Sequence, residues 1–143
     1  MNLQNEYPWQ KLDADLHFHS LDHNYAPTGL LQLIDKPPQQ VLDLGCFCGG
    51  SGRWLKNKFP EIRVTGIEML EKAASVAEKF YDEIHNDKFE AIDTSQWKNK
   101  FNAIIAADVL EHMYNPWAVL QQLNPLIAEG GAIYISLPNI RNL

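Results

Sequence analysis

The residues able to do chemistry gather at three places. The first is the run Asp43-Leu44-Gly45-Cys46-Phe47-Cys48-Gly49-Gly50-Ser51-Gly52. Its glycines let the backbone turn through φ > 0 and let a ligand come close to the main chain. If a helix follows at once, its unpaired N–H groups and positive end surround one small space suited to a carboxylate or a phosphate. The second place is Glu68, about twenty positions on, where doubly wound folds accept hydrogen bonds from ribose hydroxyls. The third is Asp108-Val109-Leu110-Glu111-His112, directly behind an apolar run. Polar groups at the carboxyl end of a central parallel strand face the ligand crevice.

Elements to position these groups are legible in order. Residues 41–44 have buried-strand character, and an amphipathic helix is predicted over 53–59, ahead of Pro60. Residues 62–67 alternate and are β-rich, which makes a second strand ending at Glu68. Ala73, Val76, Ala77 and Phe80 recur at helical spacing and predict a core-facing helix. A short third strand is predicted over 83–86. Residues 101–107 are nearly continuous in apolar side chains, as a strand covered on both faces should be. Asn115 and Pro116 begin a further helix as cap and first-turn residue, with Trp117, Leu120 and Leu123 on its apolar side and a kink at Pro125. Glu129-Gly130-Gly131 closes that helix and launches a fifth strand over 132–137. Ahead of all this, Thr28 caps a short helix reaching Ile34, and Pro37-Pro38 stop it.

The order of these motifs resembles the class I S-adenosylmethionine-dependent methyltransferases, whose members read "VLD-G-C-G-G" and later "DVLEH". Asp43, Gly45 and Gly49 fall on the family's first motif, whereas Phe47 stands where it usually has glycine or another small residue. The resemblance implies that the turn, with Cys46 and Phe47, holds the methionine end of S-adenosylmethionine, that Glu68 holds the ribose and that Asp87, with Asp93 in reserve, meets the adenine amino group. It adds Met69, Lys88, Ala107 and Asp108 to the cofactor-binding set. His112 is the candidate base for a hydroxyl acceptor, since it ionises near neutrality, and Glu111 would serve instead or orient the ring. Some relatives use an acid-x-x-Glu-His arrangement for a divalent cation. Asp108, Glu111 and His112 match it, but no metal is assigned here.

The expected fold is an α/β doubly wound, Rossmann-like parallel sheet of order 3-2-1-4-5. It lacks the family's usual C-terminal antiparallel hairpin, so the chain reads as a shortened or minimal member. Residues 1–40 form an N-terminal arm and short helix, and 41–143 the cofactor-binding core. Without the hairpin, strand five is an exposed apolar edge that invites a second copy of the chain. The expected activity is methylation of an oxygen or nitrogen on a small molecule. Two rivals are a cofactor-binding module without catalysis and a nicotinamide-dependent dehydrogenase; Gly45, Gly49 and Gly52 do not make the G-x-G-x-x-G of the latter.

With 143 residues the chain makes one domain. A net charge of -6 argues against a nucleic-acid partner, since that affinity rests on Lys and Arg, and mildly favours a cationic ligand such as a sulfonium. No apolar run approaches the ~18 residues of a membrane span. The polar, acidic start lacks the features of an export signal, so a cytoplasmic protein is expected. Cys46 and Cys48 are too close for an easy disulfide and too few for zinc, and read as small side chains filling a tight turn. His17, His19 and His23 have ligand-like spacing, but no regular element fixes them. They read instead, with Trp9, Phe18 and Tyr25, as an arm or lid beside the pocket.

Overall fold

The computed structural model describes residues 25–139. The arm residues Trp9, Phe18, His17, His19 and His23 lie outside them. Five parallel strands, β1 (Gln40–Leu44), β2 (Arg63–Ile67), β3 (Glu83–His85), β4 (Phe101–Ala107) and β5 (Ile127–Ser136), form one sheet in the order β3-β2-β1-β4-β5. This is the doubly wound order expected from the sequence. Strand β1 sits at its centre, with Val41 opposite Val64 on one side and Ala103 on the other.

Side chains alternate along the strands, so the sheet divides the core in two. Val41, Val64, Ala103 and Ile105 pack with Leu31, Leu55 and Ala77 from α1 (Thr28–Leu31), α2 (Gly50–Lys58) and α3 (Glu71–Ala77). Leu42, Leu44, Ile104 and Ala106 pack on the other side with Val119 and Leu123 of α4 (Pro116–Leu123) and with Phe89, Trp97 and Leu126 from short 3-10 turns. The near-continuous apolar character of β4 follows from its burial on both faces.

Several boundaries differ from the sequence expectation, each for a local reason. Helix α1 ends at Leu31 rather than Ile34, and Thr28 is its first residue, with Pro27 at the cap position. Helix α2 starts at Gly50, three residues before the predicted start, although glycine is a poor helix former. In α3 the buried side chains are Ala73, Ala74 and Ala77, while Val76 and Phe80 are half-buried. The helical face is thus turned by one position. Helix α4 is capped as read, Asn115 Oδ1 accepting from the Ala118 amide at 3.1 Å, but Trp117 is 74% exposed and Val119 takes its place inside. Pro125 does not kink the helix; it sits in a 3-10 turn after the helix has ended.

Gly130 and Gly131 lie within β5 instead of ahead of it. Phe101 pairs with Ile127 and Ala103 with Ala132, so the intervening residues bulge out of the ladder. Gly130 takes φ 74° there, and a Cβ on Gly131 would stand 2.9 Å from the carbonyls of Ala128 and Asn102. The glycine pair is a bulge, not a helix stop.

Tyr81 explains two glycines outside the turn. A Cβ on Gly52 would come within 2.4 Å of its ring, and one on Gly66 within 2.8 Å of the same ring and of Cys46 Sγ. Gly66→Ala is therefore expected to destabilise the fold by ~1–3 kcal/mol through overpacking. Gly29→Ala, with nothing within 4 Å of the new methyl, should leave stability unchanged or slightly raised. Urea unfolding midpoints of the two variants provide the comparison.

Candidate functional site

The turn from β1 into α2 is tied down from beneath and from both sides. The amides of Gly45 and Cys46 both donate to the Ile67 carbonyl, at 2.9 and 3.0 Å, which fixes the turn on the end of β2. Gly45, Phe47 and Gly49 all lie in the left-handed region, at φ 71°, 45° and 89°. Glycine is needed at two of these for space as well: a Cβ on Gly45 would press 2.7 Å against Val109, and one on Gly49 would stand 2.9 Å from the Ala77 backbone. Phe47 holds the same conformation with a side chain, at a cost of ~1–2 kcal/mol.

Beneath the turn, Asp43 is 1% exposed. Its Oδ2 accepts from the Tyr81 hydroxyl at 2.6 Å, and that hydroxyl accepts from the Gly52 amide at 3.0 Å. Ser51 donates to the same carboxyl. Burial pushes its pKa from an ordinary 3.8 up to about 7, opposed by the Tyr81 bond and helped by the nearby charge of Glu68. Asp43 is thus a brace from the end of β1 to the first turn of α2.

Glu68, at the end of β2, is also buried. Its Oε2 accepts from the Phe47 amide at 2.8 Å and its Oε1 from the Leu70 amide at 2.9 Å. Burial, followed by the charges of Asp43 and Glu68, drives the Cys46 thiol far above its ordinary range, so it is a packed side chain and not a nucleophile. Cys48 is likewise buried, and neither cysteine is in a disulfide.

A cavity of about 100 Å³ opens above the turn. Cys46, Phe47 and Cys48 line one side, Gly50 and Ser51 at the head of α2 another, and Ala107 and Asp108 at the end of β4 a third. Tyr25 and Pro27, from the stretch before α1, complete it. Helix amides on one wall suit a ligand with an anionic end; the Glu68 carboxylate is outside the lining and bears on the cavity through the Phe47 amide.

Of the residues singled out from the sequence, Cys46, Phe47, Ala107 and Asp108 meet at this cavity, with Asp43, Gly45, Gly49 and Glu68 supporting it. Met69 is half-buried beside Glu68. Asp87 is exposed and accepts from the Lys88 amide at 2.7 Å, while Asp93 accepts from the Ser95 amide at 2.9 Å; both shape their own loops. Lys88 is half-buried. Glu111 and His112 share a 3-10 turn with the buried Leu110 and lie outside the cavity lining. The His112 ring nitrogen is 3.8 Å from Glu111 Oε1.

Asp108 has φ 49°, and its Oδ1 accepts from the Ser136 hydroxyl at 3.0 Å. Among the described residues no group of three His, Cys, Asp or Glu is arranged to hold a metal ion. Tyr81 escaped the sequence reading, and Gly50 and Ser51 were read as part of the glycine run without a place in the helix or a role of their own. The last two were legible in principle, had the glycine run been allowed to belong to the helix.

A family described as Methyltransferase domain matches residues 17–142. The trans-aconitate 2-methyltransferase of Deinococcus radiodurans is 26% identical over 128 residues, 88% of this chain and 49% of that protein. A ubiquinone biosynthesis O-methyltransferase of Glaesserella parasuis is 30% identical over 132 residues, 82% of this chain and 54% of that protein. The chain therefore spans about half the length of these curated relatives. Among solved structures, the plantazolicin methyltransferase BpumL with a pentazolic desmethylPZN analog and SAH superposes with a TM-score of 0.71 at 20% identity, over 92% of this chain and 54% of that one. Coclaurine N-methyltransferase bound to N-methylheliamine and SAH gives 0.65 at 20% identity, over 77% and 35%.

The buried Asp43 makes a pH signature. Its folded-state pKa lies above the unfolded one, so the fold keeps a proton that the unfolded chain gives up. The resulting cost is absent below about pH 4, grows as pH rises and is complete above about pH 7, where it amounts to a few kcal/mol. Asp43→Asn does not titrate and can still accept from Tyr81. Its unfolding free energy relative to the native protein is expected to rise between pH 4 and 7 and then level off; a pH-independent difference would contradict the assignment.

Proposed function

The chain belongs to the methyltransferase-domain family, and on that premise we propose that it binds S-adenosylmethionine at the turn between β1 and α2 and transfers its methyl group to an oxygen or nitrogen of a small molecule. The observation that carries this reading is the β1–α2 turn itself: Gly50 and Ser51 at the head of α2 line the cavity, and the buried Glu68 carboxylate holds the turn through the Phe47 amide, 2.8 Å from Oε2. A helix head and an acid so placed offer donors to an amino-acid carboxylate and acceptors to ribose hydroxyls. When bound, S-adenosylmethionine supplies an electrophilic methyl group on a sulfonium.

The turn residues Gly45, Cys46, Phe47, Gly49, Gly50 and Ser51 would hold its amino-acid end, with Asp43 as their brace. Glu68 and Met69 would hold the sugar, Asp87 and Lys88 the base, and Ala107 and Asp108 the wall nearest the reacting end. Holding donor and acceptor in near-attack geometry is most of what such a reaction asks of a protein, and it can supply ~7–11 kcal/mol. For a hydroxyl acceptor, His112 would take the proton at Nδ1, with Glu111, which faces Nε2, orienting the ring, or Glu111 would take it instead. The negative net charge suits a cationic ligand. The proposal also includes a second copy of the chain along the edge of β5, where Ile135 is exposed. No described helix is long and apolar enough to cross a membrane.

A module that binds the cofactor without catalysis is favoured by one observation: His112 and Glu111 stand outside the cavity lining. Binding separates both readings from a nicotinamide enzyme. S-adenosylhomocysteine at 100 times its Kd should add about 2.7 kcal/mol to the stability of the chain, read as a rise in its thermal midpoint, while NADH leaves the midpoint in place. A shift with NADH and none with S-adenosylhomocysteine would overturn the proposal. Methyl transfer to any acceptor would remove the non-catalytic reading.

A further inference from the structure

Phe47 lines the cavity with φ 45°, in a conformation that glycine adopts freely and other residues do not. Holding a side chain in it needs a compensating contact. A hydrogen bond to a charged group is strong enough to offset that strain. Glu68 Oε2 makes such a bond to the Phe47 amide, at 2.8 Å, from 21 positions downstream.

Glu68 is itself anchored and cannot drift with the turn. Its amide donates to the His85 carbonyl at 3.0 Å, and its own carbonyl accepts from Asn86 Nδ2 at 2.8 Å. The second carboxylate oxygen is held by the Leu70 amide at the start of α3. The side chain thus spans from the ends of β2 and β3 to the turn after β1.

We propose that Glu68 is a positioning residue for the turn: it holds the Phe47 backbone left-handed and so sets the wall of the cavity. This rests on the reading that the cavity takes the amino-acid end of S-adenosylmethionine, and it deepens that reading. One carboxylate then serves both ends of the ligand, the sugar by contact and the amino acid through Phe47. Phe47 becomes the residue whose ring shapes the pocket, and Glu68 the reason a non-glycine residue can stand there.

The test compares the native chain with Glu68→Met, Phe47→Gly and the double variant. Methionine keeps the side-chain volume and removes both acceptors. Two probes are titrated: S-adenosylhomocysteine, and 5′-methylthioadenosine, which has the same base and sugar but no amino-acid end. Glu68→Met is expected to weaken S-adenosylhomocysteine by a further ~5–10-fold over its effect on methylthioadenosine. Adding Phe47→Gly should recover most of that extra factor, because glycine holds φ > 0 without support.

Equal weakening of both probes, with no recovery, would overturn the proposal and leave Glu68 as a sugar ligand only. Hydrogen exchange of the unliganded protein supplies a readout independent of any cofactor. The Phe47 amide should be protected in the native chain and exchange at least tenfold faster in Glu68→Met; unchanged protection would also overturn it. If Glu68→Met does not fold, the double variant should fold where Phe47→Gly does, and its failure to do so counts against the proposal. Should the native chain bind neither probe, the cofactor reading fails while the exchange result still decides the role of Glu68.

Discussion

The Tyr81 hydroxyl is the joint on which the site depends. It donates to Asp43 at 2.6 Å and accepts from the Gly52 amide at 3.0 Å, so one oxygen ties the end of β1 to the first turn of α2. To reach them the ring passes against Gly52 and Gly66, where no side chain fits. The helix can then begin inside a glycine run that has little helical preference of its own. Asp43, buried and reluctant to ionise, has its brace in place whether or not a ligand is near.

Around this joint the strain is concentrated where the cavity is. Of the three described non-glycine residues at positive φ, Phe47 and Asp108 line it, and the third, Asn99, lies in the loop before β4. Each of the two lining residues is held by a group from another element, Phe47 by Glu68 and Asp108 by Ser136. Such conformations persist only where the surroundings over-determine them, and they cluster at functional sites. The sheet, the two core layers and the buried braces supply that surrounding rigidity.

Much of this was legible in the chain. Strand β4 reads from residues 101–107 to its last residue because burial on both faces leaves a continuous apolar run. Five parallel strands follow from alternating strands and helices, their order from the family resemblance, and Asn115-Pro116 announces α4 by its capping chemistry. What could not be read depends on contacts between distant residues. Nothing at Tyr81 points to Asp43, 38 positions away, and nothing in Trp117 tells that it faces solvent while Val119 faces the core. Gly130 and Gly131 carry the same letters in a bulge as at a helix end; only the pairing of β5 with β4 distinguishes them. Among site residues, Glu68 was found by its position after β2 and Asp43 by its place in the family's first motif. Asp87 rested on resemblance alone, and here it shapes its own loop.

The acceptor side is less developed than the cofactor side among the described residues, with His112 and Glu111 on a turn outside the cavity lining. The account therefore stands or falls on the turn. Its most direct test is the unfolding free energy of Tyr81→Phe in urea, with and without S-adenosylhomocysteine. Removing one oxygen strands the buried Asp43 acceptor and the Gly52 donor, so stability should fall by ~1–3 kcal/mol, and the gain from ligand should shrink as well. A variant as stable as the native chain, and equally stabilised by the ligand, would contradict the claim that this joint builds the site.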